Sequence, residues 1–330
     1  MAFKKTLKLS FYIVLILSFI SCLTLILSFA LSFDKTSGYF ESGSALPIIA
    51  IICYSLGCIA SFSPLLASRD IISVGSLNTF LKNEKNSFAL LGTACILFGA
   101  LGFLLNTGLR TNDLILYLLG IGAMSFGAYF LLLTGKNGYK KIKAAKILLL
   151  LLCAAFPVGV MFHGNSDYHR AMNSVENYLG TVFGISFLLF ILYEGKRVTD
   201  EAHAPMHFAS MLLLLFTGTS FPIAYIISFL IGSVNEELRL LQMIAMLLFA
   251  AGSLLCLLRV IKNSRAFTKA DEAEIEAIIA QLEEEVFASD SYDSEDHIEE
   301  PEQAEATETT EDIEVSEEDE AYKTGDETEE

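Results

Sequence analysis

The sequence predicts an all-α integral membrane protein, in which an eight-helix transmembrane bundle is followed by a short cytoplasmic amphipathic helix and a disordered acidic C-terminal tail. Three observations predict this class. The 330-residue chain is 53% hydrophobic and only 18% charged, whereas a typical soluble domain carries about 25% charged residues. Its apolar residues fall in runs of membrane-spanning length, and its cations lie predominantly on alternate flanks of these runs.

The negative charge of the chain is concentrated at its C-terminal end. The formal net charge is −17, yet residues 263–330 contain 27 of the 39 acidic residues and only three of the 22 basic ones. Residues 1–262 are therefore net basic. This division excludes a soluble enzyme, a secreted disulfide scaffold and a nucleic-acid-binding protein, and we expect the lipid bilayer to be the main partner.

Eight apolar stretches are long enough, or nearly long enough, to cross a bilayer. A helix needs about 20 mostly apolar residues to span roughly 30 Å of hydrocarbon, and none of the stretches has Lys, Arg, Asp or Glu in its middle. Within the predicted membrane domain, residues 1–262, the spans are 11–33, 46–68, 87–109, 113–134, 147–163, 178–194, 207–231 and 240–258. The fifth and sixth are short, and the length of the seventh is best explained by tilt or a kink.

The flanking cations predict the orientation of the bundle. With the N-terminus in the cytoplasm, 17 Lys and Arg residues fall on the cytoplasmic side and only four fall outside, namely Lys35, Arg110, Arg170 and Arg239. Cytoplasmic loops of membrane proteins carry an excess of Lys and Arg. We therefore predict a multi-pass protein of the plasma membrane with both termini in the cytoplasm.

Neither a metal site nor a cofactor is expected. All six cysteines lie inside predicted spans and form no Cys-x-x-Cys pair, so we interpret them as small, reduced, buried side chains. The sequence also contains no His-Glu-x-x-His, Gly-x-Ser-x-Gly or P-loop signature, which are motifs of hydrolases and nucleotide-binding proteins. An enzyme activity is accordingly not favoured.

The seventh predicted span has the most polar centre, and we predict a substrate or ion site there. Its candidate residues are Thr217, Gly218, Thr219, Ser220 and Pro222. Pro222 has no N–H to donate to the carbonyl of Gly218, and its ring strains that turn. Freed carbonyls and hydroxyls can coordinate a cation or a polar solute, as in the interrupted helices of transporters. The alternative is a proline kink whose polar groups are satisfied by neighbouring Ser and Thr side chains.

The outer loop after the fifth span contains weak catalytic candidates, His163, Asp167 and His169. Two imidazoles and a carboxylate can ligate zinc, and His and Asp can act as an acid/base pair at the level of the lipid headgroups. The spacing His-x-x-x-Asp-x-His is not specific for either chemistry, so a solvated loop is the simpler interpretation.

Charged residues flank the sixth and seventh spans on the predicted cytoplasmic side. Glu194 ends the sixth span, Lys196 and Arg197 follow it, and His207 begins the seventh. Mixed charge at this position is typical of interfacial anchoring. A salt bridge that acts as a gate is the alternative.

The C-terminal region is predicted to hold a cytoplasmic helix within residues 263–288 and a disordered tail over 289–330. Apolar residues recur at helical spacing after a possible capping box at Thr268; they are Ile275, Ile278, Ile279, Leu282 and Val286. This stripe is a candidate docking surface, through which residues 270–330 would bind a cytoplasmic protein partner. The tail beyond it is too acidic and too poor in apolar residues to fold.

Three function classes follow from these features. The first is a permease for a small or neutral solute or ion that uses the polar kink in the seventh span. The alternative is a non-catalytic scaffold or sensor that recruits a partner through its acidic tail, and the second alternative is a lipid-modifying enzyme at the outer face. A permease predicts a water-accessible cavity at Thr219 and Ser220, whereas a scaffold predicts a solid core there.

Overall fold

The computed structural model describes residues 2–34, 39–41, 43–67, 85–109, 114–134, 142–166, 175–199, 204–234 and 237–261. Within these ranges the chain is almost entirely helical. The helices are α1 (Ala2–Leu31), α2 (Ala45–Ala60), α3 (Lys85–Leu109), α4 (Leu114–Thr134), α5 (Lys143–Cys153), α6 (Ala155–Ser166), α7 (Val175–Val198), α8 (Ala204–Leu230) and α9 (Glu237–Ile261). The helix predicted within 263–288 and the tail predicted over 289–330 lie outside the described residues.

Seven helical segments are long and apolar enough to cross a membrane. They are α1, α3, α4, α7, α8, α9 and the α5–α6 pair taken as one segment. Helices satisfy all of their backbone hydrogen bonds internally, which makes them suitable for a solvent that offers no hydrogen-bond partners. The prediction of a multi-helix, membrane-type architecture is confirmed at this level.

The second predicted span, 46–68, contains a shorter helix than predicted. Helix α2 has 16 residues and is therefore about 24 Å long, less than the roughly 30 Å of a bilayer core. A 3₁₀-helix, Ser63–Ala67, follows it. Pro64 lacks the N–H that would bond to the carbonyl of Ala60, which explains why the α-helical ladder does not continue.

The fifth predicted span, 147–163, is divided into α5 and α6 at Ala154. The N–H of Ala154 bonds to the carbonyl of Leu151 at 3.0 Å, a tighter turn than that of an α-helix. Pro157, one turn later, cannot donate to the carbonyl of Cys153. The interruption therefore lies at the turn that this proline leaves incomplete.

A two-stranded ladder after α1 departs from the purely helical prediction. Strand β1 (Phe33–Asp34) pairs antiparallel with β2 (Tyr39–Phe40), with Phe33 opposite Phe40. The rings of these two residues lie 5.5 Å apart, and Phe29 of α1 contacts both of them. These aromatic contacts pack the short hairpin against the end of α1.

Helix α8 lies at the centre of the bundle. It is the most buried of the seven candidate spans and packs against α1, α2 and α7. Close to it, aromatic side chains from α4, α6, α7 and α9 form what we call the aromatic core, with ring centroids 4.5–6.4 Å apart where they pair; its members are Phe126, Phe156, Phe183, Phe187, Phe190 and Phe249. Well-packed aromatic rings leave little room for a solute between them.

Glycines bring α3 and α4 into close contact. A Cβ atom added to Gly127 of α4 would lie 2.5 Å from the carbonyl oxygen of Gly92, and one added to Gly99 of α3 would lie 2.7 Å from that of Gly120. Small residues allow this approach, which is the main source of packing between helices in lipid.

Candidate functional site

The predicted site in the seventh span lies in a helix that continues through Pro222. The hydroxyls of Thr217, Thr219 and Ser220 all donate to carbonyls within α8. Their acceptors lie four residues earlier, at distances of 2.9, 2.7 and 2.7 Å. Hydroxyl groups that are used in this way are typical of Ser and Thr inside membrane helices.

The surroundings of these residues are tightly packed. Thr217 and Ser220 are fully buried, and a Cβ atom on Gly218 would lie 2.8 Å from Cβ of Ala250 in α9. The Thr219 hydroxyl lies 2.8 Å from that of Ser18 in α1. These contacts agree with the alternative interpretation of the sequence, in which the hydroxyls of a proline-containing helix bond to groups of the protein itself. A solute site at Thr217–Pro222 stays a prediction.

Cysteine labelling distinguishes the two interpretations. We expect Ser220→Cys to resist a water-soluble methanethiosulfonate reagent in the folded protein, because the Ser220 side chain is fully buried. Tyr178→Cys, at a position that is 58% exposed, should react and serves as the positive control. The unsubstituted chain gives the background from its own free cysteines. Rapid labelling at Ser220→Cys would contradict the packed interpretation.

A cavity of about 250 Å³ lies elsewhere, between α6, α7 and α9. Its polar wall is formed by Glu176, Asn177, Thr181, Arg239 and Gln242, and its apolar lining includes Val160, Met161 and Met243. The exposed side chain of Tyr178 also borders it, so the cavity reaches the protein surface. We call it the Glu176 cavity.

An ion pair crosses the Glu176 cavity from α7 to α9. Nε of Arg239 lies 3.6 Å from Oε2 of Glu176, and Nη2 of the same guanidinium donates to Oδ1 of Asn177 at 3.1 Å. Both charged side chains are almost completely buried, with exposures of 0% for Glu176 and 3% for Arg239. The cavity wall therefore contains one buried negative and one buried positive group in contact with each other.

Gln242 contributes a further buried polar group to this cavity. It follows Arg239 by three residues on α9, and these positions lie on the same face of a helix. Gln242 is 1% exposed, and its amide nitrogen has no hydrogen-bond partner among the described residues. Buried polar groups are nearly always hydrogen-bonded, so such a donor is a place where an acceptor from a water or a ligand belongs.

A second buried polar cluster lies at the opposite end of α7. The carboxylate of Glu194 accepts hydrogen bonds from Nε and Nη2 of Arg197, at 3.0 and 2.5 Å, and from the hydroxyl of Tyr129 in α4. Nε2 of His207 in α8 lies 2.8 Å from the same carboxylate. We call these four residues the Glu194 network. It ties three helices together at one end of the bundle.

Further cations surround this network. Lys146 of α5 and Arg259 of α9 are each only 1% exposed, and the Arg259 guanidinium lies 5.4 Å from the centre of the Phe88 ring, at cation–π distance. The buried charge at this end of the bundle is thus mostly positive among the described residues.

The other sequence candidates fall mainly outside the described residues. His163 lies in α6, but Asp167 and His169 are not described, and neither is the apolar stripe at Ile275, Ile278, Ile279, Leu282 and Val286. Within the described ranges, no group of three or more His, Cys, Asp or Glu side chains could hold a metal ion. The enzyme and docking hypotheses for these residues stay predictions.

Sequence reasoning named some of the charged residues but did not assemble either cluster. Glu194 and Arg197 are three residues apart, a spacing that indicates a pair on one helix face, but their burial against Tyr129 depends on how the helices pack. Glu176 and Arg239 each lie just before a predicted span, 178–194 and 240–258 respectively. Both are expected at the outer end of the bundle, which is the one signal that could have paired them.

We compared the chain with protein-family models, with curated proteins and with solved structures, and none of the three comparisons found a match. The geometry of the two polar clusters is therefore the basis for inferring a function.

Proposed function

We propose that this chain is a permease that binds a small polar solute in the Glu176 cavity. The observation that carries the proposal is the cavity itself, in which an acid, a guanidinium and an amide donor converge inside an otherwise apolar helical bundle. Ionisable groups in membrane segments are costly to bury, and they mark solute or ion pathways in membrane proteins. Ligand sites are concave and mostly apolar, with a few converging polar groups.

The two ends of α7 have different properties that fit a carrier open at one end. Eighteen residues separate Glu176 from Glu194, which corresponds to about 27 Å along a helix. At the first end the polar groups face a cavity, whereas at the second end they are packed against one another. The aromatic core lies between the two ends, so passage of a solute requires a rearrangement of the helices, as in carriers with alternating access.

The flanking cations support an orientation for this carrier. They favour an outer position for the Glu176 cavity and a cytoplasmic position for the Glu194 network, with both termini in the cytoplasm. In a plasma membrane the carrier would then receive its solute from outside the cell.

Solute flux into proteoliposomes tests the proposal. The purified protein is reconstituted into vesicles, which are then mixed with glycerol, urea or glycine as separate probes. Light scattering monitors the shrinkage and re-swelling of the vesicles. We expect at least one probe to enter faster than into protein-free vesicles. Arg239→Gln should reduce that flux about tenfold or more, because a lost hydrogen bond to a charged group costs about that factor.

The control for this experiment is Lys196→Gln, which removes an exposed charge at the opposite end of α7. It should leave the flux unchanged. Equal rates in vesicles with and without the protein for all three probes would overturn the permease proposal, and so would equal losses in the two variants.

A further inference from the structure

We infer that the ligand of the Glu176 cavity is a small zwitterion that carries a carboxylate and an amino group, of the size of a small amino acid. This inference uses the cavity on which the proposed function rests, but it concerns the chemical class of the ligand. It follows from the charge, the hydrogen-bonding groups and the volume of the cavity.

The charge of the cavity wall favours a ligand with both signs of charge. Glu176 and Arg239 provide one negative and one positive group, and Nε of Arg239 lies 3.6 Å from Oε2 of Glu176. A simple anion would be repelled by the carboxylate, and a simple cation by the guanidinium. A zwitterion presents its amino group to Glu176 and its carboxylate to Arg239, so each charge of the ligand meets a group of opposite sign.

Gln242 indicates where the carboxylate of the ligand lies. Its buried amide nitrogen has no hydrogen-bond partner among the described residues, and it borders the same cavity as the Arg239 guanidinium. Both groups belong to the first turns of α9, which begins at Glu237. The positive end of the helix dipole also favours a negative group at this position. One carboxylate can therefore accept from Gln242 and from Arg239.

The volume restricts the ligand to a small one. A cavity of about 250 Å³ lies just below the usual range for small-molecule sites, about 300–1,000 Å³. Gly180 of α7 contributes to this space because it carries no side chain and borders the cavity. The apolar side chains of Val160, Met161 and Met243 line the same cavity and can contact a short aliphatic group of the ligand.

Equilibrium binding with matched probes tests the inference in the full-length protein in detergent. Glycine and L-alanine are the zwitterionic probes, and acetate, ethylammonium and glycerol represent the anionic, cationic and uncharged classes. The readout is protection of Tyr178→Cys, at the mouth of the cavity, from the methanethiosulfonate reagent. We expect protection by the zwitterions at concentrations at least tenfold lower than by any of the other three probes.

Variants assign this selectivity to individual groups. Glu176→Gln should weaken glycine binding about 10- to 100-fold and should reduce the preference for glycine over acetate, because the partner of the amino group is lost. Gln242→Leu should weaken glycine and acetate binding by a similar factor. Gly180→Leu should exclude all probes by filling the cavity while leaving both charges in place. Thermal unfolding of each variant shows whether the fold is retained, and Lys196→Gln is the control.

The outcomes separate this inference from the proposed function. Protection by acetate, ethylammonium or glycerol at the same concentration as by glycine would overturn the zwitterion inference and leave the permease proposal in place. Protection by glycine without flux would overturn the permease proposal and retain the inference. Absence of protection by glycine and L-alanine, with flux of glycerol, would also overturn the inference.

Discussion

Glu194→Ala is expected to lower the free energy of unfolding of the bundle by about 3–5 kcal/mol, because it leaves the guanidinium of Arg197 buried without its carboxylate. Glu194 and Arg197 are 1% and 2% exposed, so water cannot replace the lost interaction. In the same variant the hydroxyl of Tyr129 loses its carboxylate acceptor, and the imidazole of His207 loses its carboxylate partner. The buried cysteines Cys95 and Cys153 report unfolding in detergent through their reactivity with a fluorogenic thiol reagent.

Two further variants distinguish the Glu194 network from an ordinary surface ion pair. Lys196→Ala removes a neighbouring exposed cation and should change stability by no more than about 0.5 kcal/mol. The double variant Glu194→Met with Arg197→Met should be more stable than Glu194→Ala alone, since it removes the buried cation together with its partner. If Glu194→Ala were as stable as Lys196→Ala, the network would not contribute to the packing of α4, α7 and α8.

Gly99→Ala is expected to lower the free energy of unfolding by about 1–3 kcal/mol, which is the usual cost of overpacking a tight contact. The new Cβ atom would lie 2.7 Å from the carbonyl oxygen of Gly120 and 3.0 Å from the backbone nitrogen of Met124. Backbone atoms cannot move aside as a flexible side chain can, so α3 and α4 must separate. Thermal unfolding with the same thiol readout measures the loss.

Gly102 on the same helix supplies the matched control. A Cβ atom there would meet its nearest neighbours at 3.8 and 3.9 Å, which is ordinary van der Waals contact. Gly102→Ala should therefore be neutral, or more stable by up to about 1 kcal/mol because alanine favours the helix over glycine. A similar loss of stability in both variants would show that close approach of α3 and α4 at Gly99 is not what makes glycine necessary.

Much of the architecture could be predicted because hydrophobicity in a membrane protein is a local property. Runs of about 20 apolar residues are sufficient to indicate helices such as α3, α4 and α9. The prolines also act locally, and Pro64 and Pro157 lie where α2 ends early and where α5 and α6 are divided. The exact effect of each proline was less predictable, since Pro222 has the same chemistry and yet lies within the continuous helix α8.

The candidate site was harder to predict than the helices. The polar centre of the seventh span suggested a solute site at Thr217 and Ser220, but a sequence does not show whether a hydroxyl donates to its own helix or to a ligand. Glu176 and Arg239 are the opposite case, because the structure places them at a candidate site that the sequence did not indicate. Each of them lies within the first turn of a helix, where sequence reasoning expects an interfacial charge, and their burial depends on neighbouring helices.

By itself, the sequence determined that this chain has apolar helices of membrane-spanning length, a net basic region over residues 1–262 and a strongly acidic C-terminal region. These properties are sums over neighbouring residues, so they can be read without knowing any distant contact. Only the tertiary structure decided that Glu176 meets Arg239 beside a cavity and that Glu194 meets Arg197, Tyr129 and His207 in a packed network. Whether a charged side chain near a helix end faces lipid, water or another helix depends on helix rotation and packing, and these are set by contacts between residues far apart in the chain.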